Sequence, residues 1–294
     1  MKIKTALVTG GAGFIGSHMV DCLIQSGFKV RAVDNLICGR EENIIHLNKE
    51  PNFEFEFDDI NNIKKESFYK NCDYVFHFAG IGDIVPSINN PHNYLNTNVL
   101  GTVNILERVR GNNLIKFVYA ASSSCYGIAN TPTNEEHQID PIYPYALSKY
   151  QGEQCALHWS KVYNIPVNSI RIFNAYGTRV KTSGAYGAVF GVFLKQKIEN
   201  KPYTLVGDGS QKRDFLYVTD VANAFLKVAL SNENREIFNL GAGNPQSIRY
   251  LVDLLGGKCV HLPKRPGEPD ITWANIQKIT KKTGWKQQVS FENG

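Results

Sequence analysis

Short apolar runs alternate along the chain with stretches of helical period. Residues 4–9 (KTALVT) form an apolar run that stops at Gly10, the pattern of a strand buried on both faces. Beyond it, Ile15, Met19, Val20, Leu23 and Ile24 fall at helical spacing, and Gly27 supplies the stop. Further strands are expected at 29–34, at 53–57, where Phe and Glu alternate, and at 73–79. Pro91 opens a helix predicted to run to about residue 110, with Leu95, Val99, Val103 and Leu106 on one face. A strand at 115–122, a helix at 145–162 and a strand at 167–173 complete the first pattern. Strands alternating with helices in this way predict an α/β fold with a doubly wound parallel sheet, because parallel strands need helical crossovers.

Beyond Asn174 the pattern loosens. Helices are expected at 187–200 and 219–230, and strands at 203–206 and 237–240. Residues 263–269 carry too much Pro for regular structure. The organisation predicted is a Rossmann domain of residues 1–173 and 218–240. A smaller C-terminal α/β lobe, of 174–217 and 241–294, completes the chain.

Composition narrows the class. The 294 residues are 43% hydrophobic and 20% charged, which suits a globular fold and not a disordered one. Lys and Arg number 32 against 27 Asp and Glu, a formal charge of +5 with no basic block. That reads as a solvated basic surface, not a nucleic-acid site. No run of about 18 apolar residues and no signal-peptide pattern is present, so a cytoplasmic protein without a membrane span is expected. The six cysteines are scattered without a C-x-x-C pair, which argues for reduced thiols and against a zinc site or disulfide framework; no metal is expected.

The first chemical motif is TGGAGFIG, in which Gly10, Gly13 and Gly16 sit between a strand and a helix. Glycines there permit a tight turn and a close backbone approach to a pyrophosphate, with the helix N-terminus of Phe14 and Ile15 facing the phosphates. A merely tight loop is the plainer explanation. Asp34 ends the second strand, where a carboxylate bonds a ribose 2′-OH and repels a 2′-phosphate, favouring NAD over NADP. Asp34 can also cap the following turn, and Asn35 can do the same.

The second motif is Tyr145 and Lys149, spaced i, i+4 on one face of a predicted helix, with Ser122, Ser123 and Ser124 at the end of a strand. Ligands of open α/β sheets sit at the carboxyl ends of strands. A free tyrosine, with a pKa near 10, is a poor base at neutral pH, and a nearby Lys⁺ and a nicotinamide ring would both favour its phenolate. His77 lies within a strand and reads as a packed or backbone-bonded residue, not a base.

Together these segments resemble the extended short-chain dehydrogenase/reductase superfamily of nucleotide-sugar epimerases and dehydratases, over nearly the whole chain. The resemblance implies that NAD is held also by Asp59 and Ile60 at the adenine, by Phe78 and Ala79, and by Asn98 of the NVLGT segment. It implies Ser122, Tyr145 and Lys149 as catalytic residues. Asn174, Arg213 and Arg265 would hold a nucleotide diphosphate; their plainer roles are a turn cap, a pairing with Asp214 or Asp208, and a solvated loop charge.

Within that family, dehydratases carry Thr-Asp-Glu after the strand, and Ser123 and Ser124 replace the acidic pair here. Neither serine is a proton donor near neutral pH, so dehydration is disfavoured. The Ser-Ser-Ser-x-Tyr-Gly string resembles the 4-epimerases of UDP-hexoses. The implied cycle oxidises C4, turns the 4-keto sugar about its diphosphate linkage, and reduces it on the opposite face. Asp83 replaces a family Ser in a sugar loop; it would disfavour a uronic acid if it faces the sugar, and is otherwise a solvated loop acid. Thr272 aligns with a pocket gate. A homodimer through the helices near Pro91 and Tyr145 is implied. Rival readings are an epimerase of a GDP-, CDP- or ADP-sugar, a decarboxylase, or a non-catalytic NAD-binding regulator, which would need only the glycine turn and Asp34.

Overall fold

The computed structural model describes residues 3–182, 189–263 and 269–294. The chain opens with β1 (Thr5–Thr9), α1 (Phe14–Gln25), β2 (Lys29–Asp34), β3 (Phe53–Phe57) and β4 (Tyr74–His77). Helices α2 (Ile84–Asn89), α3 (Pro91–Leu95) and α4 (Gly101–Val109) lead to β5 (Lys116–Ser122), α5 (Pro144–Tyr163) and β6 (Val167–Ile172). The remaining elements are β7 (Asn174–Tyr176), α6 (Val189–Ile198), β8 (Tyr203–Val206), β9 (Lys212–Arg213), β10 (Phe215–Tyr217) and α7 (Val218–Leu230). They are followed by β11 (Ile237–Leu240), β12 (Gln246–Ser247), α8 (Ile248–Leu255), β13 (Cys259–Leu262) and α9 (Gln277–Thr283).

Seven strands form one sheet in the order β11-β6-β5-β4-β1-β2-β3, with every neighbouring pair parallel. The expected doubly wound sheet is therefore present. Its residues alternate between two cores, as a strand's two-residue period requires. Ala6, Val8, Phe76 and Val118 face α1 and α7, while Leu7, Val75, Phe117 and Tyr119 face α4 and α5. Full burial of each large apolar side chain contributes about 1.5–3 kcal/mol. Strand order reverses between β1 and β4, which sets the loops after these two strands side by side at the carboxyl edge of the sheet.

The later residues add β11 to this sheet and α7 to the face that carries α1. The other late strands make separate two-stranded pairs, β10 with β7, β12 with β9 and β13 with β8. A further apolar cluster, including Tyr176, Phe193, Leu205, Phe215 and Phe291, packs among them. These strands are too short to show a two-residue period, which is why β7, β9, β10 and β12 were not expected. Helix α8 had a legible start: the Ser247 hydroxyl accepts the Tyr250 N–H, an ordinary N-cap. Of the Pro-rich 263–269 segment, residues 264–268 lie outside those described.

The single helix expected over residues 91–110 is corrected. It is α3, a π-helical turn over Asn96–Leu100, and α4. A widened turn leaves the apolar spacing nearly intact, so periodicity does not reveal it. The Thr102 hydroxyl donates to the Asn98 carbonyl at 2.7 Å, taking up one of the backbone groups at the turn. Leu95 and Val99, expected on one face with Val103 and Leu106, line a shallow surface cavity of about 250 Å³ between this segment and α5.

Helix α5 is fastened from beneath. Glu153, fully buried, holds Arg171 of β6 through bonds of 2.6 and 3.0 Å and accepts the Ser169 hydroxyl at 2.8 Å. Arg171 also donates to the Tyr126 hydroxyl, which donates to Asn239 of β11. Substituting Glu153→Ala leaves the Arg171 charge buried and unpaired, and we expect a loss of about 3–5 kcal/mol in urea unfolding. A loss below about 1 kcal/mol would show that the pair does not hold the helix.

Candidate active site

The glycines of the first turn divide their work. Gly10 has φ +70°, and a Cβ there would fall 2.7 Å from the Ala79 nitrogen, so this position keeps the turn clear of the chain leaving β4. A Cβ on Gly16 would lie 2.0 Å from the Gly10 carbonyl, so Gly16 lets α1 close on the turn. At Gly13 a Cβ would meet little but that same carbonyl, at 3.1 Å. Gly13 is the N-cap of α1; no side chain caps it and the first turn holds no acid. Backbone N–H groups with a positive dipole end are thus left for an anion.

Asp34 stands at the carboxyl end of β2, 8% exposed. It accepts the Ala12 N–H at 3.0 Å and the Leu36 N–H at 2.8 Å, so it ties the glycine turn to the second strand. Burial pushes its pKa up, and these backbone donors oppose the rise. A Cβ on Gly39 would fall 2.8 Å from both of its carboxylate oxygens. Asn35 donates to Asp59 at 3.0 Å, which brings the ends of β2 and β3 together. Ile60 is buried under α4, and its carbonyl accepts the Asn104 amide. The Phe78 side chain packs on Phe225 of α7, while its backbone and that of Ala79 pass beside Gly10. This cradle, with an uncapped helix end, positions where only glycine fits and a carboxylate at the strand edge, suits a dinucleotide with an unphosphorylated ribose.

The second group lies across the switch point. Tyr145 and Lys149 sit on successive turns of α5. Burial raises the pKa of the Tyr145 phenol, and Ser122, the last residue of β5, stands close enough to oppose that rise. The Ser122 oxygen also meets the Ser124 hydroxyl at 2.8 Å and the Ser124 N–H at 3.2 Å, while Ser123 opens the 3₁₀ turn Ser123–Tyr126. Lys149 is 7% exposed, and burial pushes its pKa down to about 8, with Glu153 opposing. Its ammonium stands 4.7 Å over the Tyr119 ring.

Asn98, fully buried in the π-helical turn, binds the loop after β4 from both ends of its amide. Its Oδ1 accepts the Ile81 N–H at 2.8 Å, and its Nδ2 donates to the Ile81 carbonyl and to the Ser148 hydroxyl. Gly152 lets α5 reach this turn: a Cβ there would fall 2.5 Å from the Asn98 carbonyl and 2.3 Å from the Tyr119 hydroxyl. Sequence reasoning passed over Gly152, yet a glycine inside a helix costs about 1 kcal/mol and so asks for a packing reason.

His77 is buried completely and bonds two hydroxyls, Thr9 at Nδ1 (2.7 Å) and Thr102 at Nε2 (3.0 Å). The Thr102 proton is committed to the Asn98 carbonyl, so Nε2 carries the histidine proton and Nδ1 accepts from Thr9. Burial, helped by Lys149, holds its pKa down at about 3, so it is a neutral strut. The expectation of a packed, non-basic histidine holds; its partners are side-chain hydroxyls and not backbone groups.

The expected sugar-nucleotide residues lie among the later elements. Asn174 of β7 accepts the Thr272 hydroxyl at 2.7 Å, and Thr272 accepts the Asp214 N–H. Arg213 of β9 donates to the Pro269 carbonyl at 2.9 Å. The Asp214 carboxylate turns to the N–H groups of Ala242, Gly243 and Ala274, which pins these loops together. Asp83 precedes α2, and its carbonyl accepts the Tyr94 hydroxyl at 2.6 Å. Arg265 lies outside the described residues. Tyr94 and Lys181, 3.9 Å from Asp83, were missed because no local pattern links them to the site. Among the described residues no cluster of His, Cys, Asp or Glu is arranged to hold a metal ion, and no helix is long and apolar enough to cross a membrane.

Comparison with known proteins agrees with this geometry. Residues 6–241 match the model of the NAD dependent epimerase/dehydratase family. A putative UDP-glucose 4-epimerase of Methanocaldococcus jannaschii is 38% identical over 298 residues, covering 98% of this chain and 95% of that protein. The solved UDP-N-acetylglucosamine 4-epimerase of Methanobrevibacter ruminantium, in complex with UDP-N-acetylmuramic acid, superposes with a TM-score of 0.92 at 32% identity, covering 98% of this chain and 94% of that one. The UDP-glucuronic acid 4-epimerase of Bacillus cereus, in complex with UDP-glucuronic acid and NAD, gives 0.91 at 31% identity, covering 99% and 96%.

The charge on Asp34 should decide between the two dinucleotides. Calorimetry on cofactor-stripped protein should show NAD binding at least about tenfold more tightly than NADP, and Asp34→Asn should bring the ratio to about threefold or less. An unchanged ratio would remove Asp34 from cofactor selection.

Proposed function

Because the chain belongs to the NAD-dependent epimerase/dehydratase family, we propose that it interconverts the C4 epimers of a UDP-hexose. The observation that carries this reading is Ser122, at the end of β5, beside a half-buried Tyr145, with Lys149 one turn further along α5 and no acid at 123 or 124. Relatives named as UDP-sugar 4-epimerases support the substrate class. A regulator that only binds NAD has no need of this set.

NAD, held by the glycine turn and Asp34, would supply the acceptor and donor of hydride when bound. The chain's own part is proton handling and orientation. Tyr145 Oη removes the proton of the C4 hydroxyl and returns it to the opposite epimer. Ser122 Oγ donates to that phenol oxygen and is itself oriented by Ser124. The Lys149 ammonium adds positive charge to the same helix face. Asn174, Arg213, Arg265 and Thr272 are assigned to the nucleotide diphosphate and the pocket wall, which lets the sugar turn while the nucleotide stays anchored. The later segments 174–217 and 241–294 form the lobe that carries them. A cytoplasmic homodimer fits this reading. Leu100, exposed at the cavity between the π-helical turn and α5, and Leu147, exposed on α5, supply its contact face.

NMR on UDP-glucose, UDP-N-acetylglucosamine and UDP-glucuronate should show C4 isomerisation of at least one. Tyr145→Phe should retain NAD and lose at least about a thousandfold in turnover. Isomerisation of a GDP-, CDP- or ADP-hexose in place of all three would overturn the assignment to uridine.

A pH profile tests the proton assignment. The working state, phenolate with ammonium, is one proton short of the low-pH state, and the first proton leaves near pH 8, from Lys149. Thus kcat/KM should rise with pH and level off at or below about 8. In Lys149→Met the rise should move toward the raised pKa of Tyr145 alone. A limb that stays in place would exclude Lys149 from it.

A further inference from the structure

We propose that Asp83 sets the charge class of the hexose, admitting neutral or cationic sugars and rejecting a hexuronate. The inference rests on the 4-epimerase reading, which fixes where the sugar must lie. Asp83 immediately precedes α2, and α2 packs against α5, the helix that carries Tyr145. The Tyr94 hydroxyl clamps the Asp83 carbonyl at 2.6 Å, and the Tyr94 ring stands edge-on to the Tyr145 ring with centroids 6.5 Å apart. The Asp83 backbone is therefore held one aromatic ring away from the catalytic phenol. Its carboxylate is not buried in partners: the side chain is 38% exposed and sits at a loose 3.9 Å from Lys181. Its negative charge is felt at both phenols, raising Tyr145 and Tyr94 alike.

A hexose that presents its C4 hydroxyl to Tyr145 carries C6 on the adjoining ring carbon. A C6 carboxylate would then enter the neighbourhood whose charge Asp83 already sets. Two like charges roughly 6 Å apart, at an effective dielectric between the surface and bulk-water values, cost about tenfold in affinity. A hydroxymethyl group carries no such penalty. Lys181 is the rival: an ammonium beside Asp83 can receive a carboxylate. Its charge is felt at Cys38, on the loop after β2, and at 3.9 Å it screens Asp83 only loosely.

Binding is to be read by calorimetry on NAD-loaded protein carrying Tyr145→Phe, so the outcome does not depend on turnover. UDP-glucose should bind at least about tenfold more tightly than UDP-glucuronate. Asp83→Asn, which keeps the size of the side chain but removes the charge, should narrow the gap to about threefold or less with UDP-glucose nearly unchanged. Lys181→Gln should widen it. Three results would overturn the proposal: tighter binding of UDP-glucuronate by the parent, a ratio unmoved by Asp83→Asn, or a selective loss of UDP-glucuronate binding in Lys181→Gln. Binding that follows the proposal without isomerisation by the Tyr145 protein would sink the epimerase reading alone, and failure of both sugars to bind would sink both.

Discussion

The close seating of α5 on the sheet is the constraint on which the site depends. Gly152 brings the helix against the Asn98 carbonyl and the Tyr119 hydroxyl at distances that no side chain would allow. One residue on, Glu153 grips Arg171 of β6 from inside the protein. With that turn immobilised, the preceding turns have no freedom to slide, and Lys149 and Tyr145 meet the end of β5 at a set height. Ser148, on the same stretch, bonds Asn98 and so registers the helix against the π-helical turn. Positioning to a fraction of an ångström is what proton transfer requires, and here it comes from buried contacts one and two turns away from the chemistry.

Burial also governs the charges. His77 is held neutral by its surroundings, so it can act as a strut between Thr9 and Thr102 without adding a second positive charge beneath Lys149. Lys149 yields its proton far more readily than a solvated lysine, and Tyr145 less readily than a solvated tyrosine. Ser122 acts against that second tendency, whereas Asp83 reinforces it. The loop acid is thus costly to the phenolate, and a cost of that kind at a reacting centre is most simply understood as serving selection among substrates.

Asp34 shows how one side chain can serve fold and ligand together. Its carboxylate closes the glycine turn onto β2 through the Ala12 and Leu36 N–H groups while remaining at the strand edge where a ribose would lie. The glycines beside it divide between chain crossing at Gly10, helix closure at Gly16 and a close approach to the Gly10 carbonyl at Gly13.

Local patterning in the amino-acid sequence was enough to predict the parallel sheet, the glycine turn, and Tyr145 and Lys149 on a common helix face, because each is written within one element or one loop. The short strands β7, β9, β10 and β12 were not legible, since two or three residues carry no period. Neither was the π-helical turn at Asn96–Leu100, whose widened step barely disturbs the apolar spacing. Only tertiary structure decided that Glu153 grips Arg171, that Thr272 bonds Asn174, and that Tyr94 clamps Asp83 beside Tyr145. The last two pairings join residues 98 and 11 positions apart. The physical reason is that a hydrogen bond or a like-charge repulsion depends on distance in space, whereas the sequence orders residues only along the chain.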